Sequence, residues 1–166
     1  QAALPPESQP STTLEGKYLT FALGKEGFGI AISKVREVIG LLPITPIPRT
    51  PAFIKGVINL RGRVIPVVDL RSKFGLPAVP PDERNCIVVT EVGTGHQATA
   101  IGLVVDQVNE VANFRKDEIE APPAFGAAVD TTYILALAKL QERVSLLLDI
   151  DLVLGERALD RVAGLA

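Results

Sequence analysis

The side chains best suited to chemistry are few: His96, Cys86, the pair Asp149 and Asp151, and a basic group of Arg61, Arg63, Arg71 and Lys73. His96 is the chain's single histidine and lies in the turn-like run Gly93-Thr94-Gly95-His96, where a solvated turn residue is the simpler reading. Cys86 opens the apolar run Cys86-Ile87-Val88-Val89 and reads as a small buried hydrophobe. A dyad of the two has no third group to orient the base. One His and one Cys cannot build a zinc site without several carboxylates. Asp149 and Asp151 sit among Leu147, Leu148, Ile150 and Leu152, so a strand ending in a helix cap explains them better than acid–base catalysis. Gly24, Gly27 and Gly29 have the wrong spacing for a dinucleotide fingerprint and precede a strand rather than a helix. The expectation is no catalytic residue, no cofactor and no metal.

Composition narrows the partners. With 17 Lys and Arg against 19 Asp and Glu, the net charge is −2, which argues against a general polyanion binder. Aromatic residues make up 5% of the chain, too few for a stacking platform on single strands, and none interleaves with the basic group. No nucleic acid is expected. The longest apolar runs fall far short of the roughly 20 residues of a membrane helix, and the N-terminus does not read as a signal peptide. A lone cysteine fits a reducing cytoplasm. The 166 residues are enough for one domain, or two small ones on a shared core, burying roughly 70% of the unfolded surface without staples.

Residues 1–16 are rich in Pro, Ser and Thr and predict a mobile tail. Tyr18 to Leu23 and Phe28 to Ile32 predict a hairpin turned by Gly24 to Gly27. Ser33 is placed to cap a short helix over Lys34 to Ile39, with Val35, Val38 and Ile39 at helical spacing. The proline-rich run Thr45 to Pro51 predicts a stiff connector. Val57 to Leu60 and Val64 to Val68 predict a second hairpin about Arg61-Gly62, in which glycine supplies a positive φ. Apolar residues on both faces of Val64 to Val68 predict a strand buried on two sides, as in a small barrel, and Pro66 predicts an edge or a bulge. Residues 156–165 form a short amphipathic tail helix by pattern.

The second half repeats the first. Gly29-Ile30 with Val35-Arg36-Glu37-Val38 returns 73 positions later as Gly102-Leu103 with Val108-Asn109-Glu110-Val111. Phe53-Ile54, Leu60, Arg63-Val64, Asp69 and Gly75 return 80 positions later as Tyr133-Ile134, Leu140, Arg143-Val144, Asp149 and Gly155. Two similar β-subdomains of about 65 residues follow. Asp69 and Asp149 correspond, which supports a capping role for both. Arg61 breaks the repeat: Arg61-Gly62 becomes Gln141-Glu142, so either turn serves the fold and Arg61 is a better functional candidate than residues that both copies share.

The series Phe28-Gly29-Ile30, Val35-x-Glu37-Val38, Phe53-Ile54-x-Gly56-Val57-Ile58-Asn59-Leu60-Arg61-Gly62 and Ile65-Pro66-Val67-Val68-Asp69-Leu70-Arg71 resembles the CheW-type chemotaxis coupling proteins. Asn-Leu-Arg-Gly followed by Pro-Val-Val-Asp-Leu-Arg is highly specific to that family, and Gly102 to Val108 with Leu147 to Asp151 resembles its later blocks. The likeness runs from about Tyr18 to Gly155. It implies a mainly β fold of two SH3-like five-stranded β-barrel subdomains on a shared core, with short helices. The domains expected are a disordered tail over 1–16, a CheW-like domain over 17–155 and a helical tail over 156–166. Within that domain the subdomains fall at about 29–75 and 86–155, with strand exchange between them allowed for.

The same resemblance implies a non-catalytic, cytoplasmic scaffold, monomeric in isolation and recruited to membrane-associated receptor arrays without inserting in the membrane. Its partners would be the regulatory domain of a CheA-type histidine kinase and the cytoplasmic tip of chemoreceptors. Matched residue by residue, the receptor contact falls on Ile32, Val35, Glu37 and Arg61, with Val105 and Val108 opposite. The kinase contact falls on Thr45, Phe53, Lys55, Gly56 and Val57. Glu37 is expected near Arg61, over an apolar floor of Val35 and Val108. Ala136 departs from the pattern, standing where the repeat and the family have glycine. The alternative, an excised regulatory domain of a CheA-type kinase, shares the fold but lacks support from any phosphotransfer or nucleotide-binding segment.

Overall fold

The computed structural model describes residues 14–93, 98–122, 133–140 and 142–154. β1 (Gly16–Leu23) and β2 (Glu26–Ala31) form the first hairpin, and a 3-10 turn at Ile32–Lys34 leads into β3 (Val35–Gly40). The helix expected over Lys34 to Ile39 is therefore a strand. Half-buried and exposed residues alternate along it, with a bulge between Val35 and Glu37, and its β-branched valines and isoleucine suit a pleated surface backed by a neighbour.

After the connector come β4 (Ile54–Leu60), β5 (Arg63–Asp69) and the helical turn α1 (Leu70–Lys73). β6 (Cys86–Val92), β7 (Thr99–Val105) and β8 (Gln107–Phe114) follow. A 3-10 turn at Lys116–Glu118 precedes β9 (Ile119–Glu120), β10 (Ile134–Leu140) and β11 (Arg143–Leu148), and residues 150–154 are helical.

The strands make two sheets, ordered β8-β1-β2-β11-β10-β9 and β3-β6-β7-β5-β4. The second sheet is one continuous stretch of chain, residues 35–105. The first is assembled from the chain on either side of it. The sheets thus cut the chain differently from the expected blocks at 29–75 and 86–155: β3, β4 and β5 join β6 and β7, while β1 and β2 join the later strands. Leu19, Phe21, Ile30, Val68, Leu103 and Leu148 belong to a core shared by both sheets. Each sheet also curls over a smaller core of its own, Tyr18, Phe114, Ala136 and Leu147 in the first and Ile58, Ile65, Val67, Ile87 and Val89 in the second.

The repeat holds at the level of register. Ile54 faces Val68 and Gly56 faces Val67, with an irregularity between residues 54 and 56; Ile134 faces Leu148 and Ala136 faces Leu147, with the same irregularity 80 residues on. Asp69 N donates to Phe53 O at 2.7 Å, and Asp149 N to Tyr133 O at 2.9 Å. The strand expected to be buried on both faces is buried from Ile65 to Val68, but Val64 is 60% exposed, as is its counterpart Val144 at 52%. Both sit next to a hairpin tip, beyond the reach of either core. Pro66 lies in an inner strand, contrary to a sheet edge. Its missing N–H is tolerated because β5 meets β7 only from Val67 onward, and the bulge falls on β4 opposite.

Candidate partner-binding groove

Arg61 and Gly62 form the two-residue turn between β4 and β5, with φ of 52° and 85°. Positive φ at both positions matches the twist of the flanking strands. Asn59 Oδ1 accepts the Gly62 N–H at 2.8 Å and fixes the tip. The Arg61 side chain, 69% exposed, reaches Glu37 on β3 with two parallel hydrogen bonds, Nη1 to Oε2 at 2.8 Å and Nη2 to Oε1 at 2.7 Å. This fork lowers the Glu37 carboxyl pKa below its ordinary value and raises that of the guanidinium. Glu110, the counterpart of Glu37, lies on β8, and the second hairpin carries Gln141-Glu142 where the first has Arg61-Gly62.

A shallow pocket of about 180 Å³ opens beside the pair, floored by Leu60, Ile65, Val89 and Ala100. A second ion pair, Arg36 with Glu91, borders it. Val35 and Val108, expected as this floor, lie elsewhere. Val35 faces Thr90 and Glu37 faces Val89, with a bulge between them. Because Thr90 and Val89 point to opposite faces of the sheet, so do Val35 and Glu37. Ile32, Val35 and Val108 are half-buried against the shared core. Val105, nominated as a contact, is 0% exposed, so its side chain serves the core and is not offered to a partner.

The second nominated surface clusters around the start of β4. Thr45 and Val57 exchange two backbone hydrogen bonds of 2.9 Å. Thr45 and Lys55 are exposed, and Phe53 and Val57 are half-buried. Lys73 Nζ lies 4.1 Å from the centre of the Phe53 ring. Gly56 is buried and therefore not a contact surface of its own. Its φ is 142°, and a Cβ there would fall 2.0 Å from Thr45 O. The connector's own backbone closes over it. Ala136 has its methyl group in the small core of the first sheet instead, so the alanine is accommodated there.

The basic group expected around β5 is divided by the strand's length. Arg61 and Arg63 stand at one end. Arg71 at the other is held by Asp106, with Nε to Oδ1 at 2.8 Å and Nη1 to Pro77 O at 2.8 Å. Asp69 Oδ1 accepts from Arg71 N, and Asp149 Oδ1 from Asp151 N and Leu152 N, the capping role read from the sequence. Cys86 is half-buried, with Sγ 3.3 Å from Arg84 O, rather than fully buried. His96 lies outside the described residues. Among the described residues no group of three or more His, Cys, Asp or Glu is placed to hold a metal, and no helix is long and apolar enough to cross a membrane. The ion pairs Arg36–Glu91 and Lys34–Asp151 were not legible beforehand, because each depends on which strands lie side by side.

The CheW-like domain family matches residues 17–158. The chain belongs to the CheW family. It is 38% identical over 154 residues to the chemotaxis protein CheW of Klebsiella aerogenes, covering 93% of this chain and 90% of that one. The protein FrzA of Myxococcus xanthus is 32% identical over 137 residues, with coverage of 80% and 82%. The crystal structure of the scaffolding protein TtCheW from Thermoanaerobacter tengcongensis superposes with a TM-score of 0.76 at 33% identity, covering 87% of this chain and 95% of that one. This CheW-like chain is a chemotaxis coupling adaptor, a non-catalytic scaffold of mainly β structure; the kinase-domain alternative is not favoured.

Proposed function

We propose that the chain couples the cytoplasmic tip of chemoreceptors to the regulatory domain of a CheA-type histidine kinase, working in the cytoplasm at membrane-associated receptor arrays. The Arg61–Glu37 pair carries this reading: an exposed, planar ion pair next to a pocket of charged walls around Leu60, Ile65, Val89 and Ala100, on a hairpin tip whose repeat counterpart lacks the arginine. A helical partner offers carboxylates and terminal carbonyls to such a guanidinium. Ile32, Val35 and Val108, half-buried against the shared core and set apart from this pair, form a second part of the receptor contact. The kinase contact falls on the outer strand β4 and its connector, through Thr45, Phe53, Lys55 and Val57, with Gly56 shaping the backbone beneath. Specificity then comes from apolar patches with a few oriented charges. Reconstitution of kinase, receptor fragment and this chain tests it. Kinase control by the receptor should require the chain, and receptor-dependent control in its absence would reject the reading.

A further inference from the structure

Two inter-sheet ion pairs occupy equivalent places in the repeat with their charges reversed. Arg71 and Asp151 each lie two residues beyond a capping aspartate, Asp69 and Asp149, and are 80 positions apart. Their partners, Asp106 and Lys34, each immediately precede the third strand of a half, β8 and β3. In both sites the carboxylate also accepts the N–H of the first residue after a half's opening strand. Asp106 Oδ2 takes Gly24 N at 2.6 Å, and Asp151 Oδ1 takes Gly93 N at 2.9 Å. Each latch therefore joins the helical turn after an inner strand of one sheet, β5 or β11, to the rim of the other sheet. Lys34 stands between Ile32 and Val35, and Asp106 two residues before Val108, so each latch sits beside residues assigned to the receptor.

The two are not equally firm. Arg71 and Asp106 side chains are 15% and 23% exposed and share several hydrogen bonds; Lys34 and Asp151 are 31% and 37% exposed and share a single one of 3.1 Å. Weaker geometry and more water make the second latch the adjustable one. We infer that Asp151 is a positioning residue: it holds the Ile32–Val35 wall against Gly93 and so sets the groove's width without touching the partner. This rests on the receptor reading proposed above.

The test measures three quantities on Asp151→Ala, Asp151→Asn and the charge swap Lys34→Asp with Asp151→Arg, which copies the firmer latch. They are amide exchange at Gly93, affinity for a receptor cytoplasmic fragment, and affinity for the kinase regulatory domain. Asp151→Ala should speed Gly93 exchange and weaken receptor binding at least about fivefold, with kinase-domain binding unchanged; the swap should restore both. Asp151→Asn, which keeps an acceptor for Gly93, should fall between and secures the result if the alanine variant folds poorly. Unchanged Gly93 exchange, or equal loss for both partners, overturns the inference. Arg61→Glu is run in parallel. If it weakens receptor binding while Asp151→Ala does not, the latch claim alone fails; if it has no effect, the receptor reading fails and takes the positioning role with it.

Discussion

Arg61 and Glu37 join opposite ends of one sheet. Glu37 lies on β3 and Arg61 at the tip of β4, the two outer strands of the order β3-β6-β7-β5-β4, yet their side chains meet at 2.7 and 2.8 Å. The sheet curls around Ile58, Ile65, Val67, Ile87 and Val89 far enough to bring the tip of the β4–β5 hairpin within side-chain reach of β3. The connector contributes on the same side, pairing Thr45 with Val57. An ion pair this exposed, between two strands that are not paired with each other, can open towards a partner at little cost to the fold.

Arg61→Glu should therefore weaken receptor-fragment binding by at least about tenfold, in the range of an interface hot spot. The thermal midpoint and the affinity for the kinase regulatory domain should stay close to wild type. Calorimetric titration against each partner separately checks this, and equal loss for both would assign Arg61 to the fold.

Gly56→Ala should destabilise the protein by about 3 kcal/mol, since the new methyl meets Thr45 O at 2.0 Å on a backbone with φ of 142°. Chemical denaturation would show it. A neutral result would mean that the connector moves freely off β4.

Phe74 is stacked between Phe28 and Tyr133, at centroid distances of 5.6 and 5.5 Å, and Phe28 in turn stacks on Phe21. This ladder runs from the first hairpin through the end of α1 to the start of β10. Phe74→Ala should cost about 2 kcal/mol, less than for a fully buried ring. Loss of near-ultraviolet circular dichroism from Tyr133 should accompany the shift in the denaturation midpoint.

Acid should weaken the fold through Asp106. Its hydrogen bonds to Arg71 hold the carboxyl below the ordinary carboxylate range, partial burial opposes this, and the Gly24 N–H adds to the lowering. With the folded-state pKa below the unfolded one, the stabilisation is complete above the unfolded pKa and is lost as pH falls through the folded value. Asp106→Asn should be less stable at neutral pH. Between roughly pH 5 and pH 2 it should lose less stability than wild type does. Parallel curves would remove Asp106 from the account.

Much of this was legible in the sequence where local pattern and packing agree. The hairpin at Arg61-Gly62, the capping aspartates and the duplication were readable because turn chemistry and spacing fix them locally. β3 was not, since Val35, Val38 and Ile39 fit a helical stripe as well as a strand, and only the pairing with β6 decides between them. The bulge that turns Val35 away from Glu37 is likewise a property of pairing. The motif offers Val105 as a contact, but its burial depends on the first sheet packing over it in the shared core. Charge pairs across the sheets were invisible for the same reason. Residue types were readable, whereas their neighbours 35 to 117 positions away were not.

The central claim is that two partners bind separate surfaces at once. Sedimentation velocity of this chain with a receptor cytoplasmic fragment and a kinase regulatory domain tests it most directly. The account predicts a ternary species in which each partner binds equally well whether or not the other is present. Displacement of one partner by the other, with no ternary boundary at saturating concentrations, would contradict it.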